Sequence, residues 1–189
     1  MSLLNRSIAP FQAQAFVAGR ADFMPVTAES FKGKWSILMF YPADFTFVCP
    51  TELEDLATLA PDFEALGVQI FAASTDTHFA HKAWHEHSEA VGKVRFPLIG
   101  DPTGALARQF EVYVEETGLA QRGTFFLNPE GQIKLIELHD DGIGRNAQEL
   151  LRKVKAAQYV TAHPNEACPA RWQEGDQTLV PSLDLVGKI

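Results

Sequence analysis

Two apolar segments joined by a helical pattern constrain the fold of this chain more than any other feature. Residues 37–41 and 68–73 are largely apolar stretches, typical of buried strands. Between them the apolar residues recur at helical spacing, at Leu53, Leu56, Ala57, Ala60, Phe63 and Leu66. A strand, a helix and a strand in this order place the two strands parallel in one sheet. The pattern predicts an α/β fold, with a kink or a restart of the helix at Pro61.

The same criteria predict the elements of the remaining chain: a helix over 77–90, a short strand at 96–99, a short helix over 105–110, a hairpin of 124–127 with 133–138, and a helix over 147–161. From residue 162 onward Pro, Asn, Asp and Gly dominate. We therefore predict a domain over residues 1–161, with a central mixed β-sheet flanked by helices. An extended C-terminal arm follows over residues 162–189.

The charge and composition of the chain exclude several classes of protein. Sixteen basic against 24 acidic residues give a net charge of -8, which argues against nucleic-acid binding because that needs clustered positive charge. No stretch approaches the roughly 18 apolar residues of a membrane span. The first ten residues lack the apolar core of a signal peptide. We therefore expect a soluble cytoplasmic protein.

The chain has two cysteines, Cys49 and Cys168, and each is followed by proline. In a reducing cytosol two cysteines fit buried structural thiols, a metal pair or a redox couple. A metal pair is disfavoured because neither cysteine has a Cys-x-x-Cys partner or a nearby Cys or His. The prolines place both thiols at loop or helix-start positions, which favours redox or nucleophilic use over packing.

Cys49 lies between the first strand and the first helix, on a short loop at the mouth of the helix. Pro50 suits the first helical position, where its missing N–H costs nothing, and Glu52 suits the first turn, where negative side chains are favoured. The positive end of the helix dipole favours the thiolate, which is the nucleophilic form of cysteine. Thr46 can turn its hydroxyl toward the sulfur, or it can cap the helix or satisfy loop backbone. The pattern indicates a nucleophile.

Four histidines, at positions 78, 81, 85 and 87, fall within ten residues. His81 and His85 share a helix face at a spacing that can bind zinc. However, the Glu that follows the first His in zinc-protease motifs is absent, and the neighbours are Lys82 and Trp84. We therefore expect a structural or surface role for these histidines.

The pattern Pro42-x-x-x-Thr46-x-x-Cys49 resembles the active-site signature of the peroxiredoxins. Over residues 40–52 the chain is similar to the peroxidase subunit of bacterial alkyl hydroperoxide reductase, a typical two-cysteine peroxiredoxin. The resemblance spans the whole chain, and further segments carry it: residues 74–78, 81–85, 99–106, 142–145, 155–159, 168–172 and 181–189.

The resemblance implies a thioredoxin-like fold and a set of site residues. Cys49 would be the peroxidatic cysteine and Cys168 the resolving cysteine. Thr46 and Arg122 would complete the active site, and Pro42 would shield it from water. Two further residues match family positions, Glu52 and Arg145; they would support the arginine and the helix start, or they could equally be ordinary surface ion-pair partners.

The resemblance also implies the reaction and its partners. Cys49 would reduce hydrogen peroxide or organic hydroperoxides, and the resulting sulfenic acid would form a disulfide with Cys168 of the neighbouring subunit in an antiparallel dimer. A flavin-containing, NADH-dependent disulfide reductase or a thioredoxin-type donor would restore the thiols. Five dimers would assemble into a ring. The sequence shows no nucleotide-binding or haem motif, so we expect no cofactor in this chain.

Three other functions are alternatives to the peroxidase or additions to it. A thiol-disulfide oxidoreductase would need a second cysteine at Cys-x-x-Cys spacing, but Glu52 occupies that position. A cysteine hydrolase would need a base, and the sequence places no histidine near Cys49. An oligomeric holdase chaperone stays open as an additional role.

Overall fold

The structure, a computed structural model, describes residues 2–188. Its nine strands are β1 (Gln12–Phe16), β2 (Met24–Thr27), β3 (Trp35–Phe40), β4 (Val68–Ser74), β5 (Leu98–Gly100), β6 (Tyr113–Val114), β7 (Leu119–Ala120), β8 (Arg122–Leu127) and β9 (Ile133–His139). The α-helices are α1 (Cys49–Ala65), α2 (His78–His87), α3 (Ala105–Gln109) and α4 (Ala147–Ala162). Three short 3-10 segments lie at Ala28–Phe31, Val91–Lys93 and Leu183–Leu185. Within the described residues no helix has the length and hydropathy needed to cross a membrane.

Backbone contacts divide the chain into two compact units, residues 1–147 and 148–189. The first unit contains a seven-stranded sheet in the order β2-β1-β5-β4-β3-β8-β9. Strands β3, β4 and β5 are parallel, whereas β1, β8 and β9 are antiparallel to their neighbours. The mixed sheet and the parallel pair on either side of α1 confirm the predicted fold class.

A cluster of buried aromatic rings fixes the centre of this sheet. The ring of Phe40 lies 5.9 Å from that of Phe125 and 5.4 Å from that of Phe110, centroid to centroid. Phe31 and Phe71 form a second close pair at 4.5 Å. Such edge-on and tilted pairs add to the stability gained from the buried area itself. Because Phe40 is the last residue of β3, the loop that leads to Cys49 starts from a rigidly packed point.

The structure corrects some of the predicted boundaries. Of the kink or restart predicted at Pro61, the structure excludes the restart: α1 is continuous through Pro61, with buried Leu56 and Phe63 on either side of the proline. Helix α2 ends at His87 and not at residue 90. The strands β1 and β2 were not predicted, because their sequences, Gln-Ala-Gln-Ala-Phe and Met-Pro-Val-Thr, have weak strand patterns, and pairing with β5 and with each other defines them.

The second unit consists of most of α4 and the residues that follow it. Trp172 is buried and packs against Tyr159 of α4, and its indole N–H donates to the carbonyl of Asp176 at 3.2 Å. Arg152 of α4 donates to the Trp172 carbonyl at 3.1 Å, and Ala167 and Leu179 form an isolated β-bridge. These contacts order the segment that carries Cys168, although it has no long helix or strand among the described residues.

Candidate active site

Cys49 is the first residue of α1, so it is itself helical rather than part of the preceding loop. Its side chain is buried, with 1% of the residue exposed. No side chain caps the helix, and the carbonyl of Val48 accepts from the N–H groups of Thr51 and Glu52 at 3.0 and 3.2 Å. Pro50 is the second helical residue. The sulfur therefore lies at the positive end of a 17-residue helix and away from solvent.

Arg122, the first residue of β8, brings a positive charge to the sulfur. Its Nη1 donates to Cys49 Sγ at 3.4 Å and to Glu52 Oε2 at 2.7 Å. Only 4% of its side chain is exposed. Burial by itself would lower the pKa of the Arg122 guanidinium, but its contacts with Cys49 and Glu52 outweigh burial and raise that pKa above its ordinary value. A permanent cation thus contacts the thiol that the sequence predicts as the nucleophile.

Glu52 links two arginines beneath the thiol. Its Oε1 accepts from the backbone N–H of Arg145 at 2.9 Å and from Arg145 Nε at 2.8 Å. Its Oε2 accepts from Arg145 Nη2 at 2.9 Å, in addition to Arg122. Burial raises the pKa of this carboxyl, but the hydrogen bonds and charge of Arg145, with the charge of Arg122, prevail and lower it. Glu52 is therefore an ionised, buried bridge with 1% of its side chain exposed.

Arg145 connects this bridge to the sheet. Its Nη1 donates to the carbonyls of Phe40 and Gly123 at 2.8 and 3.1 Å and to Thr124 Oγ1 at 3.2 Å. The end of β3, the start of β8 and the first turn of α1 are thereby joined by one guanidinium. Because Glu52 and Arg145 are both almost completely buried, they are not the surface ion pair that the sequence left open.

The loop before Cys49 carries Pro42 and Thr46. Pro42 is buried. The Thr46 hydroxyl donates to the carbonyl of Ala43 at 2.8 Å, which satisfies loop backbone. With its proton used in this way, the Thr46 oxygen can still accept a hydrogen bond from a further group.

A buried network that sequence reasoning missed anchors this loop. Asp44 accepts from the Tyr41 hydroxyl at 2.8 Å through Oδ1, and its Oδ2 lies 2.7 Å from His81 Nδ1. The other ring nitrogen of His81 lies 3.0 Å from the carbonyl of Ile99. The backbone N–H of Asp44 donates to Asp76 at 2.9 Å. His81 of α2, which is itself bonded to β5, therefore holds the loop at Asp44, whereas Arg145 binds the end of β3 from which the loop starts.

The two histidines with zinc-like spacing each make a packing contact of their own. His81 is completely buried and bonded as described, and His85 Nε2 lies 3.1 Å from the carbonyl of Val94. No group of three or more potential metal ligands is found among residues 2–188. The zinc-like spacing of these two histidines thus reflects two separate packing contacts.

Cys168 belongs to the second unit and is partly exposed, and both cysteines are free thiols. Its Sγ lies 4.0 Å from the carbonyl of Ala156. Burial and the Glu166 carboxylate raise the pKa of the Cys168 thiol, and Arg152 opposes them only in part. Tyr159 and Thr178 both donate hydrogen bonds to Glu166 and hold that carboxylate in place.

Replacing Glu166 with glutamine is expected to speed the alkylation of Cys168 by iodoacetamide at about pH 7.5 by about two- to five-fold, since loss of the carboxylate lowers the raised pKa and increases the thiolate fraction. The rate would be measured by mass spectrometry in a Cys49→Ser background, where Cys168 is the one thiol. Glu174→Gln is the control, because its carboxylate pairs with Lys155. Equal rates in the two variants would contradict the expectation.

Two further residues near Arg122, Asp141 and His139, were not predicted from the sequence. Asp141 accepts two hydrogen bonds from Arg122. Its backbone carbonyl accepts from Nε at 2.7 Å, and its side-chain Oδ1 accepts from Nη2 at 3.2 Å. His139 lies directly across from Arg122 in the β8–β9 pair. A β-bulge between Phe126 and Leu127 shifts this register by one residue, so the turn position alone would have paired Arg122 with Leu138.

Comparison with known proteins agrees with this geometry. A model of the AhpC/TSA family matches residues 9–136, and a model of the C-terminal domain of 1-Cys peroxiredoxin matches residues 156–185. The chain is 58% identical to alkyl hydroperoxide reductase C of Amphibacillus xylanus and 56% identical to that of Staphylococcus aureus, over the full length of each.

Solved structures show the same likeness. The crystal structure of AhpC from Enterococcus faecalis superimposes with a TM-score of 0.86 at 45% identity, covering 89% of this chain and 100% of that chain. A reduced 2-Cys peroxiredoxin from Plasmodium vivax gives 0.91 at 28% identity, covering 97% of this chain and 96% of that chain. A buried thiol at a helix start beside an arginine is thus found in a chain that resembles these proteins along its whole length. The chain belongs to the AhpC/TSA family of the peroxiredoxins, enzymes that reduce peroxides with a cysteine thiol.

Proposed function

We propose that this chain is the peroxidase component of an alkyl hydroperoxide reductase and that Cys49 reduces hydrogen peroxide and organic hydroperoxides. One observation carries the proposal: Arg122 Nη1 donates to the buried Cys49 Sγ at 3.4 Å while Glu52 holds the guanidinium in place. A guanidinium placed at the sulfur in this way can stabilise negative charge that develops there during the reaction.

In the first step the Cys49 thiolate attacks the terminal oxygen of the hydroperoxide. An S–O bond forms, the O–O bond breaks, and the leaving alkoxide or hydroxide takes up a proton to become an alcohol or water. Cys49 is oxidised to the sulfenic acid. Arg122 would stabilise the negative charge as it moves from sulfur to the leaving oxygen.

Two loop residues would assist this step. The Thr46 oxygen retains acceptor capacity beyond its bond to Ala43, so it can accept from the O–H of an incoming hydroperoxide and orient it. Buried Pro42 offers no N–H to water and would keep the sulfur dry.

In the second step the Cys168 thiol of a neighbouring subunit would attack the sulfenic sulfur, forming a disulfide and releasing water. The Cα atoms of a disulfide lie within about 7 Å of each other, so a buried Cys49 must first leave its site. Because Cys49 is the first residue of α1, its release would require unwinding only at the start of this helix, together with loss of the contact to Arg122.

The cycle would close with two electrons from an external disulfide reductase. A flavin-dependent NADH enzyme would be the donor, as the resemblance to the alkyl hydroperoxide reductases implies, with a thioredoxin-type protein as the alternative. The chain would act in the cytoplasm as an antiparallel homodimer within a ring of five dimers. Residues 1–161 would form the peroxidase domain and residues 162–189 the arm with the resolving cysteine.

The proposal is tested by trapping the two oxidised forms. In Cys168→Ser treated with one equivalent of hydrogen peroxide and dimedone, we expect a dimedone adduct on Cys49 and no disulfide-linked dimer. The unmodified chain is expected to give the linked dimer on a non-reducing gel, and Cys49→Ser neither product. Peroxide consumption that survives in Cys49→Ser would refute the proposal, and a linkage within one subunit would refute its second step.

A further inference from the structure

A small cavity lies beside the guanidinium that contacts Cys49. Its volume is about 230 Å³, enough for an organic group of a few carbon atoms. Pro42, Val114, Leu119 and Ala120 supply its apolar lining. The polar part of the lining consists of Thr117, Gln121, His139, Asp140 and Asp141. A wall that combines apolar side chains with polar groups is common in small-molecule sites.

Two of the residues that line the cavity, Asp141 and Pro42, connect it to the surroundings of the Cys49 sulfur. Asp141 accepts from the same Arg122 guanidinium that donates to Cys49 Sγ. Pro42 belongs to the loop that leads to Cys49. To place its organic group in this space, a hydroperoxide that reacts at the sulfur would extend past Pro42.

His139 is the residue of the cavity wall that faces the same way as Arg122. Directly opposed residues of an antiparallel pair point to one face of the sheet, with Cβ atoms about 5 Å apart. The pairing of Arg122 with His139 thus places the imidazole next to the guanidinium on the active-site face.

The imidazole has a hydrogen-bonding atom without a partner. Only two buried side-chain nitrogen or oxygen atoms within residues 2–188 lack a hydrogen bond, and His139 Nδ1 is one of them. A buried polar atom without a partner is unfavourable, so a ligand group that bonds to it gains affinity relative to one that does not.

We propose that His139 is a specificity-determining residue of this peroxidase, which selects organic hydroperoxides bearing a hydroxyl group over their unsubstituted counterparts. A hydroxyl both donates and accepts, so it pairs with Nδ1 in either tautomer of the ring. A carboxylate is a poorer match, because Asp140 and Asp141 line the same cavity. The inference rests on the proposed function, since it requires that hydroperoxides react at Cys49.

The test compares tert-butyl hydroperoxide with its analogue that carries one terminal hydroxyl, 2-hydroperoxy-2-methylpropan-1-ol. The readout is the ratio of the second-order rate constants for oxidation of Cys49 by the two compounds. The unmodified chain is expected to favour the hydroxylated compound by about three- to ten-fold, the worth of one hydrogen bond. In His139→Phe, which keeps a planar ring without nitrogen, the ratio is expected to fall to about one.

Two matched variants complete the design. His139→Asn keeps a hydrogen-bonding atom near the position of Nδ1 and is expected to retain most of the preference. His87→Leu removes an exposed histidine at the end of α2 and is expected to leave the ratio unchanged. Circular dichroism verifies that each variant is folded.

The outcomes separate this inference from the proposed function. If the unmodified chain reacts with neither compound, the proposed function fails together with the inference. If it reacts with both but shows no preference, or if His139→Phe keeps the preference, His139 does not select the substrate and the inference alone is overturned.

Discussion

Replacing Arg122 with methionine is expected to slow the oxidation of Cys49 by hydrogen peroxide by about 10²–10³-fold, the usual effect of removing one donor aimed at a developing charge. Methionine fills similar space but cannot donate to Sγ, where Arg122 donates at 3.4 Å. The variant should still fold, because Glu52 keeps its three hydrogen bonds to Arg145. Stopped-flow measurement of the second-order rate constant checks this.

Two further variants isolate the cause of the effect. Arg122→Lys keeps the charge but presents a single ammonium group, which cannot contact Cys49, Glu52 and Asp141 together, so an intermediate rate is expected. Arg108→Met removes an exposed arginine that pairs with Glu115 and is expected to leave the rate unaltered. A rate for Arg122→Met within about three-fold of the unmodified chain would show that the guanidinium does not assist the reaction.

The second large effect is expected for Glu52→Gln, which should lower the free energy of unfolding at pH 7 by about 3–5 kcal/mol. The glutamine amide has no charge, so the buried Arg145 guanidinium loses the carboxylate it pairs with, and Arg122 keeps only the largely exposed Asp141 carboxylate at 3.2 Å. The rate of Cys49 oxidation should fall as well, because Arg122 loses one of the groups that orient it. Urea denaturation measures the change in stability.

Glu54 supplies a matched control two residues further along the same helix. Its carboxylate pairs with Lys93 at the surface, where such pairs contribute about 1 kcal/mol or less. Glu54→Gln should therefore change the unfolding free energy little. Equal losses in the two variants would mean that the buried bridge has no special importance.

The stabilisation from Glu52 should depend on pH in a defined direction. The pKa of Glu52 in the folded chain is lowered from its ordinary value of 4.5, as burial is outweighed by Arg145 and Arg122. Its contribution is therefore complete above about pH 4.5 and is lost as the pH falls through the lowered value. The stability difference between the unmodified chain and Glu52→Gln should shrink over that acidic range.

The fold could be predicted from the sequence where local patterns were strong. The apolar runs of β3 and β4 have the length of buried strands, and the apolar residues of α1 recur at helical spacing. This strand–helix–strand order predicts an α/β fold. The prediction was weaker where an element depends on distant partners. The strand β1 is defined by its bonds to β2 and β5, and α1 continues through Pro61 because buried side chains on both sides hold it.

The candidate site was also predictable from local patterns and not from contacts between distant residues. The position of Cys49 at a helix start and the proline after each cysteine are local features that predicted a nucleophile, and the spacing of Pro42, Thr46 and Cys49 carried the resemblance to the peroxiredoxins. Asp44 and His81 were not recognised as partners, because 37 residues separate them and their contact forms only when α2 packs beside the loop.

The sequence by itself predicted Cys49 as the nucleophile and placed it at the start of the first helix, because both inferences depend on neighbours within a few positions. Only the tertiary structure decided that Glu52 bridges two buried arginines 70 and 93 residues away. It also decided that His139 faces Arg122, since one β-bulge shifts the register of the hairpin and turns each later side chain to the other face. Such contacts between distant segments depend on packing and register, which no local pattern in the chain specifies.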